Sequence, residues 1–133
     1  MAEPKPLPVV DPESAPFWEA CSERRLLIQR CGACGAAVFY PRAICPACHA
    51  DQLGWEETSG QGEIYSYTIS RRPAGPGWSD EVPYAVVLVD LVEGVRMLGA
   101  LRTDDLDAVR IGMDVTVDFE DRDGVMMPCW RPA

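Results

Sequence analysis

The chain has 133 residues, 47% of them apolar, which allows one domain of ordinary size or two very small ones. No apolar run approaches the ~20 residues of a membrane helix, so membrane insertion is not expected. The formal net charge is −9 and is spread evenly: residues 1–59 carry five Lys/Arg against eight Asp/Glu, and residues 60–133 carry seven against thirteen. Such a surface repels phosphate backbones and anionic membranes at long range, which argues against nucleic acid as the partner.

Residues 1–13 are Pro-rich and charged with no hydrophobic stretch, and are expected to be a flexible lead-in, neither signal nor transit peptide. A cytoplasmic location follows as an expectation. Ser14 is placed to cap a helix with Pro16 in its first turn, where a missing N–H costs nothing. Phe17, Trp18 and Cys21 fall on one side of that helix, with Glu19, Ser22 and Glu23 opposite. So short a helix does not stand alone in water, and Phe17 and Trp18 need a partner surface, in this chain or in another protein.

Two C-x-x-C turns follow, Cys31-Gly-Ala-Cys34 and Cys45-Pro-Ala-Cys48, carried by extended segments at 25–30, 36–40 and 53–58. Two facing C-x-x-C turns complete a tetrahedron of four thiolates, which suits Zn²⁺ and leaves no position open for water or substrate. The expected site is therefore a structural zinc held by Cys31, Cys34, Cys45 and Cys48 in a rubredoxin-like ribbon. A thioredoxin-like redox site needs one C-x-x-C beside a βαβ pattern, which is missing. Cys45-Pro-Ala-Cys48-His49 spells the C-x-x-C-H of haem attachment, but that would leave the first pair unexplained. Disulfides are disfavoured in a reducing compartment, and Cys21 and Cys129 lie in apolar surroundings as small hydrophobes.

Ser59-Gly-Gln-Gly62 marks a boundary between a helix plus zinc ribbon over 14–59 and a β-domain over 60–133. Glu63 to Arg71 alternates, with Ile64, Ser66, Thr68 and Ser70 on one face and Tyr65, Tyr67 and Ile69 on the other. Tyr84 to Leu91 is nearly continuous apolar and predicts a central strand, and Arg96 to Leu101 follows a turn at Glu93-Gly94. Asp104 to Val109 has the pattern of one or two helical turns. Asp114 to Glu120 and Val125 to Trp130 are joined by a tight hairpin at Asp123-Gly124. Five strands with a short helix between the third and fourth predict an OB-fold barrel, so the fold class is mainly β: helix, ribbon, barrel.

No catalytic set is visible. The only histidine, His49, follows a zinc turn and is expected to be solvated, and Asp118, Glu120 and Asp121 form a solvated acidic face. The stretch with binding potential is 71–83, between the first two barrel strands, with Arg71, Arg72 and Trp78. Arginines hold phosphate as a fork, and an indole offers a stacking plate, although Trp78 could equally plug the barrel end. A single-stranded nucleic-acid binder is the alternative function, since ribbons and OB-folds both serve that purpose.

Several motifs are similar to those of one known family. They are Pro16-Phe17-Trp18, Arg30-Cys31-Gly32-x-Cys34-Gly35, Tyr40-Pro41-Arg42-x-x-Cys45-Pro46-x-Cys48 and Gly60-x-Gly62-x-Ile64-Tyr65-Ser66-Tyr67-Thr68, with Pro83-Tyr84, Ile111-Gly112-Met113-x-Val115 and Phe119-Glu120-Asp121 further on. The chain resembles the zinc-ribbon/OB-fold acyl-CoA-associated family, formerly a domain of unknown function, from about Ser14 to Pro132. His49 stands where that family commonly has glycine. The resemblance implies a non-catalytic accessory subunit or domain beside a thiolase-like or lipid-transfer-protein-like enzyme, in some members a MaoC-type hydratase. It would help bind or channel an acyl-CoA thioester in steroid side-chain or fatty acyl-CoA degradation. An archaeal branch bridges a thiolase and a hydroxymethylglutaryl-CoA synthase. Phe17, Trp18 and the ribbon would face the partner, with Arg71, Arg72 and Trp78 nearer the thioester.

Overall fold

The computed structural model describes residues 4–133. The expected lead-in over 1–13 therefore begins outside the described residues. From residue 4 to the first helix the backbone forms neither helix nor strand.

Helix α1 (Ala15–Ser22) starts at the predicted place, but Ser14 is not its side-chain cap. Asp11 does that work, accepting the Ser14 N–H on Oδ1 at 2.8 Å while its carbonyl accepts from Ala15 N–H. An aspartate is the better acceptor at a positive helix end, and Ser14 spends its hydroxyl on the Asp11 backbone instead. The helix buries Phe17, Ala20 and Cys21.

Strands β1 (Leu27–Cys31), β2 (Ala37–Val38) and β3 (Leu53–Glu57) form the antiparallel ribbon sheet, in the order β2-β1-β3. The barrel is closed by β4 (Gln61–Ser70), β5 (Tyr84–Leu91), β6 (Arg96–Leu101), β7 (Asp114–Arg122) and β8 (Val125–Pro132), in the order β4-β5-β6-β8-β7. The β6–β8 contact is parallel, through Leu101 and Trp130, and the others are antiparallel. That order, with a short helical element between the third and fourth barrel strands, is the predicted five-stranded OB-fold.

One local expectation is narrowed and one is corrected. The one or two helical turns expected over 104–109 are a single 3-10 turn, Leu106–Ala108, because Asp105 accepts from the Asp107 N–H and Val109 turns extended. In β4 the two-residue alternation does not persist. A bulge between Ile64 and Ser66 places one extra residue, Tyr65, outside the ladder to β5. Ile64 and Ile69, of opposite parity, therefore both reach the core.

One apolar core runs through both parts of the chain. Phe17 and Cys21 of α1, and Leu26 and Ile28 beside and within β1, join Ile64, Val87, Val89, Val115, Phe119 and Trp130 of the barrel. Trp130 is 1% exposed, with Gly99 so close that a Cβ there would stand 2.8 Å from the indole. A smaller cluster of Cys31, Val38 and Cys45 lies under the cysteine turns. Arg30 ties ribbon to barrel: its guanidinium grips the Glu56 carboxylate and reaches the carbonyls of Gly35 and Glu93.

Candidate metal centre and aromatic groove

The two C-x-x-C turns are built alike. Cys31 N–H donates to Ala36 O and Gly35 N–H to Cys31 O; Cys45 N–H donates to Ala50 O and His49 N–H to Cys45 O, all at 2.9 Å. Each turn ends on a left-handed residue, Gly35 at φ +78° and His49 at φ +66°. Glycine is the usual occupant of that region, so His49 stands there under strain while its imidazole stays exposed.

The four sulfur atoms lie within 4.8 Å of one another, with Cys31 Sγ 3.6 Å from Cys48 Sγ and Cys34 Sγ 3.8 Å from Cys45 Sγ. A tetrahedral Zn–S₄ shell with bonds of about 2.3 Å has sulfurs about 3.75 Å apart, and a disulfide would need about 2.05 Å. The donor set therefore fits zinc and is not paired as disulfides.

Cys31, Cys45 and Cys48 are not equivalent. Hydrogen bonding by the backbone N–H of Cys34, helped by Ala33, outweighs burial and draws Cys31 down to about 7. The N–H of Cys48 likewise lowers Cys45. At Cys48 the Ala50 N–H favours the thiolate, but burial and the three neighbouring sulfurs hold the thiol up at about 12. A divalent cation would take the place of the thiol protons, and backbone donors already aimed at the sulfurs then support the thiolates. Cys21 and Cys129 are different, because burial pushes them up to about 12 and about 11, and they are inert core thiols.

A second feature lies where α1 meets the barrel. A groove of about 390 Å³ is walled by Phe17 and Trp18 of α1, Phe39, Tyr40 and Pro41 after β2, and Leu98 to Ala100 of β6. Trp78, Met127 and Pro128 also line it, together with Arg102, Glu120 and Arg122. Phe17 packs edge-on against Trp18 at 5.0 Å and 84° and leans on Phe39 at 5.6 Å. It is only 5% exposed, whereas Tyr40 and Leu98 are 56% and 59% exposed, so the groove has an open apolar rim.

Of the residues singled out from the sequence, the fold gathers Phe17, Trp18 and Trp78 around this one groove. Arg71 and Arg72 lie exposed on the same β4–β5 loop as Trp78 but do not line it. Glu120 is not part of a solvated acidic face. Its carboxylate receives Arg102 Nε at 2.9 Å and Nη2 at 2.7 Å, and Arg102 Nη1 reaches Glu81 at 3.0 Å. Lys5 pairs with the other Glu81 oxygen. Burial pushes the Glu81 carboxyl up, but hydrogen bonds from Lys5 and Arg102 outweigh it and hold the group below its ordinary range.

Lys5, Glu81 and Arg102 went unseen in the sequence because each is a lone charge with its partner far along the chain. Gln29, an uncharged residue, likewise has its partner outside its own strand. Buried in β1, it pins the approach to the second cysteine turn, accepting Arg42 N–H at 2.9 Å and donating to Arg42 O at 3.0 Å.

Comparison with known proteins is consistent with this architecture. Residues 18–54 match the family described as ChsH2, rubredoxin-like zinc ribbon domain, and residues 55–120 match ChsH2, C-terminal OB-fold domain. The chain is 37% identical over 130 residues to a probable enoyl-CoA hydratase alpha subunit of Thermomonospora curvata, covering 97% of this chain and 40% of that protein. The chain thus spans about two fifths of that relative's length. A DUF35 domain-containing scaffold protein of Methanothermobacter thermautotrophicus is 33% identical over 121 residues, 86% of this chain and 90% of its own. Among solved structures, a chain of the Ltp2-ChsH2(DUF35) aldolase superposes with a TM-score of 0.85 at 36% identity, covering 95% of this chain and 98% of that one.

Proposed function

The chain belongs to the ChsH2/DUF35 zinc-ribbon and OB-fold family, and from that premise we propose that it is a non-catalytic accessory component of an acyl-CoA enzyme complex. Its partner is a thiolase-like enzyme of the lipid-transfer-protein aldolase type, or a MaoC-type hydratase. The single observation that carries the reading is the convergence of Phe17, Trp18 and Trp78 on one apolar groove with an open rim. Concave apolar walls suit an apolar acyl body. The names of the relatives agree, since one is a hydratase subunit, one a scaffold and one part of an aldolase.

Roles follow from position. Zinc held by Cys31, Cys34, Cys45 and Cys48 fixes the ribbon, with no open position for chemistry. Trp18, Tyr40 and Leu98 offer apolar surface to the partner enzyme. Arg71 and Arg72, outside the groove, meet the phosphates of coenzyme A as forks.

The test is affinity capture from extract of the native host, with bound proteins identified by mass spectrometry. A stoichiometric thiolase-like or hydratase partner is expected. Recovery of nucleic acid without a protein partner would support the single-stranded nucleic-acid reading instead. With the complex in hand, Arg71→Ala/Arg72→Ala is expected to weaken acyl-CoA affinity by roughly tenfold, the worth of one charged hydrogen bond. Unchanged affinity removes the arginines from the ligand role.

A further inference from the structure

Residues 4–8, Pro-Lys-Pro-Leu-Pro, have no helix or strand, yet they are fixed at three points. Lys5 pairs with Glu81, its side chain only 17% exposed, and its ammonium lies 5.7 Å from the centre of the Trp78 ring. Arg122 Nη1 donates to Pro6 O at 3.1 Å, and the same guanidinium lies 5.7 Å from the Trp78 ring. Apolar burial does not hold the segment, because Leu7, Val9 and Val10 are 46%, 89% and 52% exposed. Alternate prolines preset an extended backbone and lower the entropy lost on docking.

We propose that Lys5 is a positioning residue and that Pro4–Pro8 is a polar latch: by tying itself to Glu81, Trp78 and Arg122, it holds the β4–β5 loop in place as a wall of the aromatic groove. Trp78 reaches the groove from a loop running from residue 71 to 83, whose own anchors are a 3-10 turn at Pro76–Trp78, the Glu81 N–H on the Trp78 carbonyl and an N–H of Ala74 on the Tyr84 hydroxyl. The latch adds a cation beside the indole and a second charge on Glu81, whose other oxygen is held by Arg102. A latch held by charge, with its apolar side chains exposed, yields when that charge is removed, while the zinc ribbon and barrel stay folded. The latch's influence on ligand entry rests on the acyl-CoA reading above; the ordering of the loop does not.

Hydrogen exchange of the full zinc-loaded chain, followed by mass spectrometry, tests it in wild type, Lys5→Gln and Lys5→Arg. Lys5→Gln is expected to speed exchange of the amides of residues 74–82 by about tenfold, with ribbon and barrel amides unchanged. Lys5→Arg, which keeps the charge and the reach, is expected to restore wild-type protection. Equal exchange in wild type and Lys5→Gln overturns the latch, and so does a Lys5→Arg variant as loose as Lys5→Gln. A parallel titration with decanoyl-CoA keeps the two readings apart. If the wild-type complex fails to bind it, the acyl-CoA reading falls, and the exchange result still decides the latch because no ligand enters that measurement.

Discussion

At the scale of single residues, the cysteine set and the position after each turn behave differently under substitution. Cys34→Ser leaves three thiolates where four hold the metal, and zinc contributes roughly 10–16 kcal/mol in comparable small modules, so the ribbon is expected to lose both zinc and structure. Metal content by elemental analysis and the melting curve check this together; a variant that kept its zinc and its melting temperature would mean other ligands. His49 points the opposite way. It occupies at φ +66° the place that Gly35 fills in the first turn, and its side chain is exposed. His49→Gly is expected to raise stability by about 0.5–1 kcal/mol, since relief of about 1–2 kcal/mol of left-handed strain exceeds the extra chain entropy that glycine loses on folding. A denaturant melt showing a loss of that size would place a hidden contact on the imidazole.

At the scale of elements, close backbone approach decides which glycines are fixed. In β4, a Cβ on Gly62 would stand 2.5 Å from the Asp90 carbonyl oxygen and 2.7 Å from Val89 Cγ1. Backbone cannot move aside as a flexible side chain can, so Gly62→Ala is expected to cost about 1–3 kcal/mol, read from a denaturant melt. The β4–β5 loop depends instead on charge. Glu81 has its carboxyl depressed by Lys5 and Arg102. A depressed carboxyl contributes stability that is present above its ordinary range, near 4.5, and is lost as pH falls through the lower folded value. Wild type is therefore expected to lose more stability than Glu81→Gln between pH 5 and about pH 3. Parallel pH melts that superpose over that range would show that Glu81 is not held by its cations.

At the scale of the whole molecule, the continuous core from α1 and β1 into the barrel is expected to make ribbon and barrel unfold as one cooperative body. Stripping zinc with a strong chelator is expected to lower a single melting transition. Two separated transitions, with the barrel unmoved, would show that the shared core transmits little. The same body is acidic throughout, so titration with a single-stranded oligonucleotide at low salt is expected to be flat.

Local chemistry determined the zinc turns, the Asp123-Gly124 hairpin and the strand count, because each depends on residues only a few positions apart. C-x-x-C spacing, positive φ after Asp123 and apolar runs carry their meaning wherever the chain goes. What the sequence could not show is what long-range proximity makes. The bulge at Tyr65 depends on the partner strand, and it moved Ile69 to the side opposite the one alternation predicted. Glu120 changed from a solvated acid to half of an ion pair because the barrel brings Arg102 to it. Phe17, Trp18 and Trp78 became one groove, and Arg71 and Arg72 stayed outside it, because closure of the barrel, not spacing along the chain, sets which side chains meet.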